Sequence, residues 1–402
     1  MLTEELQQDA ERYLMNTYAR QPISIARGRG ARVFDLEGRE YVDFVGGIAV
    51  NLLGHNHPDL TLAIQKQVVQ VLHTSNLYYS VPQVELAKAL VERSFARKVF
   101  FCNSGAEANE AAIKLARRYG HDKRGPECFE IITMKHSFHG RTLATIAATG
   151  QEKVQKGFEP LTPGFSTVPF NDIEALERAM TEKTAAVMLE PVQAEGGVHV
   201  AHKAYLMRLR ELCRERGVLL IFDEVQTGMG RTGTLFAYEQ FGVQPDVMTL
   251  AKGLGGGVPI GACLATDDVA KVFVPGSHAS TFGGNPLACA AGLAVLRTLL
   301  EGRVLEHAKQ MGDYLAKGLQ DCKERNAMVK EVRGLGLLQG MELHGEGKPV
   351  VDACLARGVL INCTMDRVLR FVPPLVITQA EIDRLLDTLP RVLTKPKSDS
   401  HH

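Results

Sequence analysis

Two charged residues stand directly after apolar segments, where they could take part in chemistry. Asp223 follows the segment 218–222, and Lys252 follows the segment 247–251. Both segments are short, continuous and apolar, which predicts buried strands. Because an ionised group is buried only where it is paired or used, each residue is a candidate site residue. We expect Lys252 to form an imine through its amine, and Asp223 to tune the group that Lys252 holds.

Polar residues follow three further predicted strands in the same way. Asn103, Ser104 and Gly105 follow the strand 99–102, residues 136–141 follow the strand 130–134, and Glu190 follows the strand 185–189. The carboxyl ends of parallel strands meet at one edge of an open α/β sheet, which is where such sheets bind ligands. The sequence therefore predicts one site that gathers these residues with Asp223 and Lys252.

The strands that must position these residues alternate with helical segments between about residues 98 and 265. Two of the helical segments are 105–119, with Gly120 as its expected C-cap, and 203–216. Regular alternation with continuous apolar strands predicts a parallel sheet that is covered by helices on both faces. The predicted fold class is therefore α/β.

The two ends of the chain show a mixed pattern. The predicted elements are helices at 3–18, 58–73, 82–94, 303–326 and 378–393, a β-hairpin of 31–35 with 39–44, and strand segments at 329–343 and 368–372. The simplest division is a large domain at 58–297 and a smaller domain built from 1–57 and 298–394. Residues 395–402 are expected to form a disordered tail.

The segment 104–106, Ser-Gly-Ala, opens a predicted helix and could bind phosphate. Backbone N–H groups in the first helical turn have no partner within the helix and lie at its positive end. A plain Ser104 N-cap explains the same residues, and in isolation it is the better explanation. Together with Lys252, the phosphate interpretation becomes the better one. Phe138, a core aromatic in isolation, could stack on a planar ring beside this site.

Composition argues against several classes of function. The 402 residues include 46 basic and 46 acidic side chains, so no excess charge attracts nucleic acid or an anionic membrane. No apolar segment approaches the roughly 20 residues that span a bilayer. The eight cysteines are scattered without paired spacings, which predicts reduced thiols, a cytoplasmic protein and no zinc site.

Two glycine-rich segments do not predict nucleotide binding. The segment 228–233 matches GxGxxG, but residues 223–227 separate it from the strand and no helical pattern follows it. The segment 253–257 lacks the Lys-Ser/Thr pair of a P-loop. The first of these segments is left without a function.

Several longer motifs resemble those of one known family. They are Phe-His-Gly-Arg-Thr at 138–142, Glu-Pro-Val-Gln-Ala-Glu-Gly-Gly at 190–197, Asp-Glu-Val-Gln-Thr-Gly at 223–228, Thr-Phe-Gly-Gly-Asn-Pro at 281–286 and Leu-Arg-Phe-Val-Pro-Pro at 369–374. Over essentially the whole chain, the sequence resembles the class III (ω-amino acid) aminotransferases. The resemblance implies a fold-type I, pyridoxal-5′-phosphate-dependent transferase with a large, mainly parallel sheet domain and a small α+β domain.

The resemblance implies a role toward pyridoxal 5′-phosphate for each motif residue. Lys252 would hold the cofactor and move the substrate's proton, and Asp223 would pair with the protonated ring nitrogen. The other expected contacts are Ser104, Gly105 and Ala106 at the phosphate, Phe138 and Val225 at the ring faces, Gln226 at the ring hydroxyl, and Thr281 at the phosphate of the neighbouring subunit. The expected assembly is therefore a homodimer with shared active sites.

Within the class, the chain is most similar to the acetylornithine aminotransferases. The segments 46–51, 73–78 and 359–364 carry this likeness. Ornithine aminotransferases have a tyrosine where this chain has Ile48, and Ile48 cannot hydrogen bond to a free α-amino group. The chain departs from many relatives at 365–366, Met-Asp, where a histidine is common.

The reaction implied by the resemblance moves the terminal amino group of N2-acetyl-L-ornithine to 2-oxoglutarate in arginine biosynthesis. Arg141 would bind the distal carboxylate, and Arg370 the α-carboxylate of glutamate. Glu195 would pair with Arg370 while the amine donor is bound. N-succinylornithine, N-succinyl-diaminopimelate and 4-aminobutyrate are alternative donors. An aminomutase, a decarboxylase and an inactive cofactor-binding protein are alternatives of other classes, and the Glu195–Arg370 pair favours two alternating substrates.

Overall fold

The computed structural model describes residues 3–393, so the expected tail at 395–402 lies outside the described residues. The helices are α1 Thr3–Tyr13, α2 Gly46–Ala49, α3 Pro58–Val68, α4 Val81–Val91, α5 Gly105–Arg124, α6 Leu143–Ala148, α7 Glu152–Gln155, α8 Ile173–Ala179, α9 Lys203–Arg216, α10 Tyr238–Phe241, α11 Asp267–Ala270, α12 Pro286–Glu301, α13 Val304–Glu324, α14 Lys348–Ala356 and α15 Gln379–Val392. The strands are β1 Ile25–Arg29, β2 Arg32–Asp35, β3 Glu40–Asp43, β4 Lys98–Cys102, β5 Glu130–Met134, β6 Phe165–Val168, β7 Thr184–Leu189, β8 Val192–Gln193, β9 His199–Val200, β10 Leu219–Asp223, β11 Val247–Leu250, β12 Gly261–Ala265, β13 Val329–Leu335, β14 Leu338–Leu343, β15 Val359–Leu360, β16 Asn362–Thr364 and β17 Val368–Phe371.

A seven-stranded sheet lies at the centre of the molecule, in the order β4-β12-β11-β10-β7-β5-β6. Its strands β7, β10 and β11 are buried along their whole length. Strands that are covered on both faces have continuous apolar sequences, which is why the sequence alone located them. The prediction of an α/β fold with a large, mainly parallel sheet is confirmed.

Two strands of this sheet, β6 and β12, are not among the predicted strands. The strand β12 pairs antiparallel with both β11 and β4, whereas the pairs β10–β11, β10–β7, β5–β7 and β5–β6 are parallel. Its sequence, Gly-Ala-Cys-Leu-Ala, is fully buried. It follows β11 without the long helix that marks a parallel crossover, so the alternation of strands and helices gave no signal for it.

Helix α5 is longer than the sequence predicts. The expectation that Gly120 ends this helix is wrong, because Gly120 lies inside it and Gly125 occupies the C-cap with a φ of 97°. A Cβ atom at position 120 would lie 2.2 Å from the Cys128 carbonyl oxygen. This glycine therefore permits close packing of the helix against the chain that leads into β5, and it does not break the helix.

The end segments form two further four-stranded sheets, of which the first contains strands from both ends of the chain and the second contains strands from the C-terminal part. Their orders are β1-β2-β3-β15 and β13-β14-β17-β16, and β15 pairs in parallel with β3. Helix α1 ends at Tyr13, before the predicted residue 18, and α12 is an additional helix before α13. The predicted domain boundary at 297 falls within α12, and the division into two domains remains a prediction.

Candidate active site

A cavity of about 480 Å³ lies at the carboxyl ends of the central strands. The sequence-predicted residues that line it are Ser104, Gly105, Ala106, Phe138, Arg141, Asp223, Val225, Gln226 and Lys252. These residues come from segments that follow β4, β5, β10 and β11. The tertiary structure therefore brings Asp223 and Lys252 to one cavity with the segment 104–106.

Lys252 follows β11 and begins the 3₁₀ turn Lys252–Gly255. Its φ of 36° lies in the left-handed region, which is strained for a residue with a side chain and is often found at functional sites. Burial lowers the pKa of Lys252 below its ordinary value, although the carboxylates of Glu195 and Asp223 oppose this effect. A lysine with a lowered pKa has a larger fraction of unprotonated amine at neutral pH than an exposed lysine, and only the unprotonated amine can act as a nucleophile or accept a proton.

The carboxylate of Asp223 is held by three surrounding groups. Its Oδ2 atom accepts a hydrogen bond from Asn109 Nδ2 at 2.7 Å and lies 2.8 Å from His139 Nδ1. Its Oδ1 atom accepts a bond from the Val225 backbone N–H at 3.0 Å. Asn109 is itself oriented by Thr249, whose hydroxyl donates to Asn109 Oδ1 at 2.7 Å. The carboxylate therefore has one fixed orientation at the cavity wall.

Asn109 and Thr249 are site residues that sequence reasoning did not find. Asn109 lies on the otherwise apolar buried face of α5, among the alanines 108, 111 and 112, and it is 1% exposed. A buried amide on such a face needs hydrogen-bond partners, and this was the signal available in the sequence. Thr249 looks like an ordinary β-branched strand residue, so nothing distinguished it.

The segment that begins α5 borders the cavity, and its role as a phosphate site stays a prediction. The Ser104 hydroxyl accepts a hydrogen bond from Glu107 N at 3.2 Å, so Ser104 also has the plain N-cap role. Gly105 and Ala106 line the cavity with first-turn N–H groups that the helix cannot satisfy. A Cβ atom at Gly105 would lie 2.7 Å from Val225 Cγ1, so glycine is required for this close approach.

Phe138 is fixed at the cavity wall through its backbone. Its N–H donates to Glu190 Oε1 at 2.9 Å, and Glu190 Oε2 accepts from Ala194 N at 3.2 Å. Burial raises the pKa of Glu190 to about 7, with His139 opposing the shift and Asp223 adding to it. The Arg141 guanidinium carbon lies 5.6 Å from the centre of the Phe138 ring, while the Arg141 side chain remains exposed.

Glu195 and Arg370 form an ion pair beside the cavity. Arg370 Nη1 lies 2.5 Å from Glu195 Oε1, and the Gln226 amide bonds to both partners, at 3.2 Å to Glu195 and 3.3 Å to Arg370. Burial raises the pKa of Glu195, but the charges of Arg370 and Lys252 outweigh it, and the net pKa is lowered. Thr364 also donates a hydrogen bond to the Glu195 carbonyl. Gln226 therefore lies between the cavity and this ion pair.

Four predicted site residues are not part of the cavity lining; they are Glu195 and Arg370 of the ion pair, and also Ile48 and Thr281. Ile48 is in α2 with a left-handed φ of 64°, and its side chain is 45% exposed. Thr281 is exposed in the loop after α11. The neighbouring Ser280 is tied to the phosphate turn, because Asn103 Nδ2 donates to its Oγ atom at 3.2 Å.

The described part of the chain contains no group of three or more His, Cys, Asp or Glu residues that could hold a metal ion. Among residues 3–393, no helix is long and apolar enough to cross a membrane. The polar groups at the cavity are an amine, a carboxylate and helix N-terminal amides, and they suit an organic phosphate with a carbonyl group and a basic ring nitrogen.

Comparison with known proteins agrees with this arrangement. The acetylornithine aminotransferase of Methanocaldococcus jannaschii is 52% identical over 387 residues, which is 96% of this chain and 97% of the relative. The acetylornithine aminotransferase of Caldanaerobacter subterraneus subsp. tengcongensis is 54% identical over 386 residues, which is 96% of this chain and 98% of the relative.

The fold is also similar to that of a solved aminotransferase. A solved structure of the ornithine aminotransferase from Toxoplasma gondii, with partial occupancy of PLP at its active site, matches with a TM-score of 0.93 and 35% identity. That match covers 97% of this chain and 94% of the solved one. The profile of the family Aminotransferase class-III matches residues 13–393. The chain therefore belongs to the class-III aminotransferases and is a pyridoxal-phosphate-dependent enzyme.

Proposed function

We propose that the enzyme transfers the terminal amino group of N2-acetyl-L-ornithine to 2-oxoglutarate. The products are N-acetyl-L-glutamate 5-semialdehyde and L-glutamate, and the reaction is a step of arginine biosynthesis. The observation that carries the proposal is the Glu195–Arg370 ion pair beside Lys252, since it provides for two substrates with different numbers of carboxylates. The two relatives described above are more than half identical to this chain, and their name, acetylornithine aminotransferase, supports the same substrate.

The residues at the cavity fit pyridoxal phosphate. Gly105 and Ala106 supply the unpaired N–H groups for a phosphate, with Ser104 beside them, and Val225 and Phe138 supply apolar surfaces for a ring. When bound, the cofactor supplies a carbonyl group for the amino group and an electron-accepting ring. Asp223 would keep the ring nitrogen protonated through its negative charge, and Asn109 and His139 hold its carboxylate in place.

Lys252 is assigned two tasks. Its amine holds the cofactor between turnovers, and its Nζ atom takes up the proton that leaves the amine-bearing carbon of the substrate. Both tasks need a neutral amine, and the lowered pKa of Lys252 increases the fraction of the amine that is neutral. Gln226 lies against Glu195 and Arg370, so it could link the ring hydroxyl to the ion pair.

Two arginines divide the recognition of carboxylates. Arg141, which lines the cavity over the Phe138 ring, binds the α-carboxylate of acetylornithine or the side-chain carboxylate of glutamate. Arg370 binds the α-carboxylate of glutamate after Glu195 has moved away. While acetylornithine is bound there is no carboxylate at Arg370, and Glu195 neutralises it as in this structure. Ile48 has no hydroxyl group, so it cannot bind the free α-amino group of ornithine as a tyrosine at this position would.

We also propose that the enzyme is a cytoplasmic homodimer. In this proposal, Thr281 of each subunit contacts the phosphate at the neighbouring site. Its exposure and its position beside Ser280, which is tied to the phosphate turn by Asn103, support this placement. Sedimentation of the purified enzyme would test the dimer, and a monomer with full activity would contradict the shared site.

The substrate is tested by supplying candidate donors to the purified, cofactor-loaded enzyme. We expect N-acetylornithine to convert the absorbance of the lysine-bound cofactor most efficiently, ahead of ornithine, N-succinylornithine and 4-aminobutyrate. A higher kcat/KM for any other donor would overturn the substrate assignment. The variant Lys252→Ala is the control, since it is expected to form no product with any donor. Turnover by Lys252→Ala would contradict the role of this lysine.

A further inference from the structure

We propose that Arg231 is a positioning residue for carboxylate recognition. In this proposal, its guanidinium joins the loop 226–233 to the ends of β14 and β17, and so sets the position of Arg370 against Gln226 and Glu195. The inference rests on the proposed function, in which Arg370 binds the α-carboxylate of glutamate. It also explains the segment Gly-Met-Gly-Arg-Thr-Gly, which matched a nucleotide motif without its context.

One nitrogen of Arg231 donates hydrogen bonds to the residues that flank two paired strands, β14 and β17. The Nη1 atom donates to the Leu337 carbonyl at 3.0 Å and to the Pro373 carbonyl at 2.5 Å. Leu337 comes immediately before β14, and Pro373 comes shortly after β17. These strands pair so that Gly340 lies opposite Arg370. The two carbonyls therefore mark the position of the strand that carries Arg370.

The loop and the β13–β14 turn are also in direct backbone contact. The Leu337 N–H donates to the Arg231 carbonyl at 3.0 Å, so the two residues are joined in both directions. A Cβ atom at Gly336 would lie 2.8 Å from the Arg231 carbonyl oxygen and 2.5 Å from the Thr232 carbonyl carbon. No side chain fits between the turn and the loop at Gly336, so their backbones are in direct contact there.

The other end of the loop reaches the ion pair itself. Gln226 accepts from Arg370 Nη1 at 3.3 Å and donates to Glu195 Oε1 at 3.2 Å. The loop thus contacts Arg370 directly through Gln226, and contacts its strand through Arg231. Two attachments fix both the place and the direction of the arginine, which a single attachment would not.

Arg231 is a poor choice for stability alone. It is 1% exposed, and its Nε and Nη2 atoms have no hydrogen-bond partner within residues 3–393. Burial lowers the pKa of Arg231 to about 9, and no carboxylate opposes this shift. A buried cation without a counter-ion costs more than an apolar residue of similar volume. A buried cation that is retained without a counter-ion is expected to have a functional role, such as holding site residues in position.

The test compares the two half-reactions in Arg231→Met. Glutamate needs Arg370, whereas N-acetylornithine leaves Arg370 paired with Glu195. We expect the KM for glutamate and for 2-oxoglutarate to rise at least about tenfold, with a much smaller change for N-acetylornithine, because carboxylate binding depends on position. The urea midpoint of unfolding should be unchanged or higher. Arg231→Lys, which keeps one nitrogen that can donate to both carbonyls, should restore part of the glutamate affinity.

Arg117→Met is a matched control, since Arg117 is a partly buried arginine that donates to the Pro163 carbonyl at the surface. It should leave the ratio of the two KM values unchanged. An equal loss in both half-reactions of Arg231→Met, or no loss in either, would overturn the proposal. If Arg231→Met does not fold, the same ratio in Arg231→Lys decides the question. Failure of the wild-type enzyme to use N-acetylornithine would overturn the proposed substrate, while the glutamate KM would still test Arg231.

Discussion

Arg370 and Glu195 are paired at 2.5 Å, and the Arg370 side chain is almost fully buried while Glu195 retains contact with solvent. The pair is therefore asymmetric. Glu195 is partly exposed, whereas Arg370 is buried and its Nη1 atom also donates to the Ala194 carbonyl and to Gln226. In the proposed function, movement of Glu195 would leave the Arg370 cation for the carboxylate of an incoming substrate.

Removing the charge of Glu195 should change the preference for the amine donor. In Glu195→Gln, Arg370 has no competing carboxylate, so glutamate should gain relative to N-acetylornithine. Because a hydrogen bond to a charged group is worth about 1.5–3 kcal/mol, the ratio of the two kcat/KM values should shift by about tenfold or more. Glu182→Gln, at a fully solvent-exposed position, should show no shift. An unchanged ratio in Glu195→Gln would argue against this exchange.

A side chain at position 105 should disrupt the phosphate turn. In Gly105→Ala, the new Cβ atom meets Val225 Cγ1 at 2.7 Å, so the helix N-terminus or the ring-facing Val225 must shift. We expect weaker cofactor binding, measured by titrating the apoenzyme with pyridoxal phosphate. The double variant Gly105→Ala/Val225→Ala removes the clashing atoms and should recover part of the affinity. Gly345→Ala, where a Cβ meets nothing within 4 Å, is the control.

The support of Asp223 should be graded. Asn109→Ala removes the bond at 2.7 Å to Asp223 and should weaken cofactor binding by about tenfold, because a charged acceptor loses one of its donors. Thr249→Val removes only the bond that orients Asn109 and should have a smaller effect in the same direction. The exposed Asn16→Ala should have none. The same titration measures all three, and equal affinities would show that Asp223 needs no support from Asn109.

Glu224 should make the protein less stable as the pH rises. Burial raises its pKa from 4.5 to about 8, although it accepts backbone bonds from Ala237 and Tyr238. Between these two values the folded state keeps a proton that the unfolded state releases. The free energy of unfolding therefore falls with rising pH in this window, by up to about 1.4 kcal/mol per pH unit from this group. Below 4.5 and above 8 the group contributes no slope.

Urea unfolding between pH 5 and pH 8 measures this effect. We expect the slope to be smaller in Glu224→Gln, which cannot ionise, and unchanged in the exposed Glu182→Gln. Equal slopes of the free energy of unfolding against pH in the wild-type enzyme and in Glu224→Gln would show that the pKa of Glu224 is not raised in the folded state. The urea midpoint of Glu224→Gln is expected to change for another reason, because a glutamine amide has one oxygen and cannot accept the hydrogen bonds from both Ala237 and Tyr238 in the same way. The slope against pH is therefore the quantity to compare.

The sequence determined the elements whose patterns are local. The strand 130–134 and the helix 203–216 were predicted with the bounds that the structure has, because burial on both faces and amphipathic spacing are written in neighbouring residues. The same patterns located Asp223 and Lys252 at the ends of their strands, and a resemblance to one family supplied the cofactor. Gly120 was wrongly predicted to end α5, and β12 was not predicted. The role of each depends on a distant packing partner, which is Cys128 for Gly120 and β4 for β12.

The tertiary structure decided what surrounds these residues. Asn109 and His139 lie 114 and 84 positions away from Asp223, and Arg370 lies 175 positions away from Glu195. Residues that are so far apart meet only when the whole sheet and its covering elements have packed. No local propensity specifies such a contact, so the sequence by itself could name the acid and the lysine but not the groups that orient them.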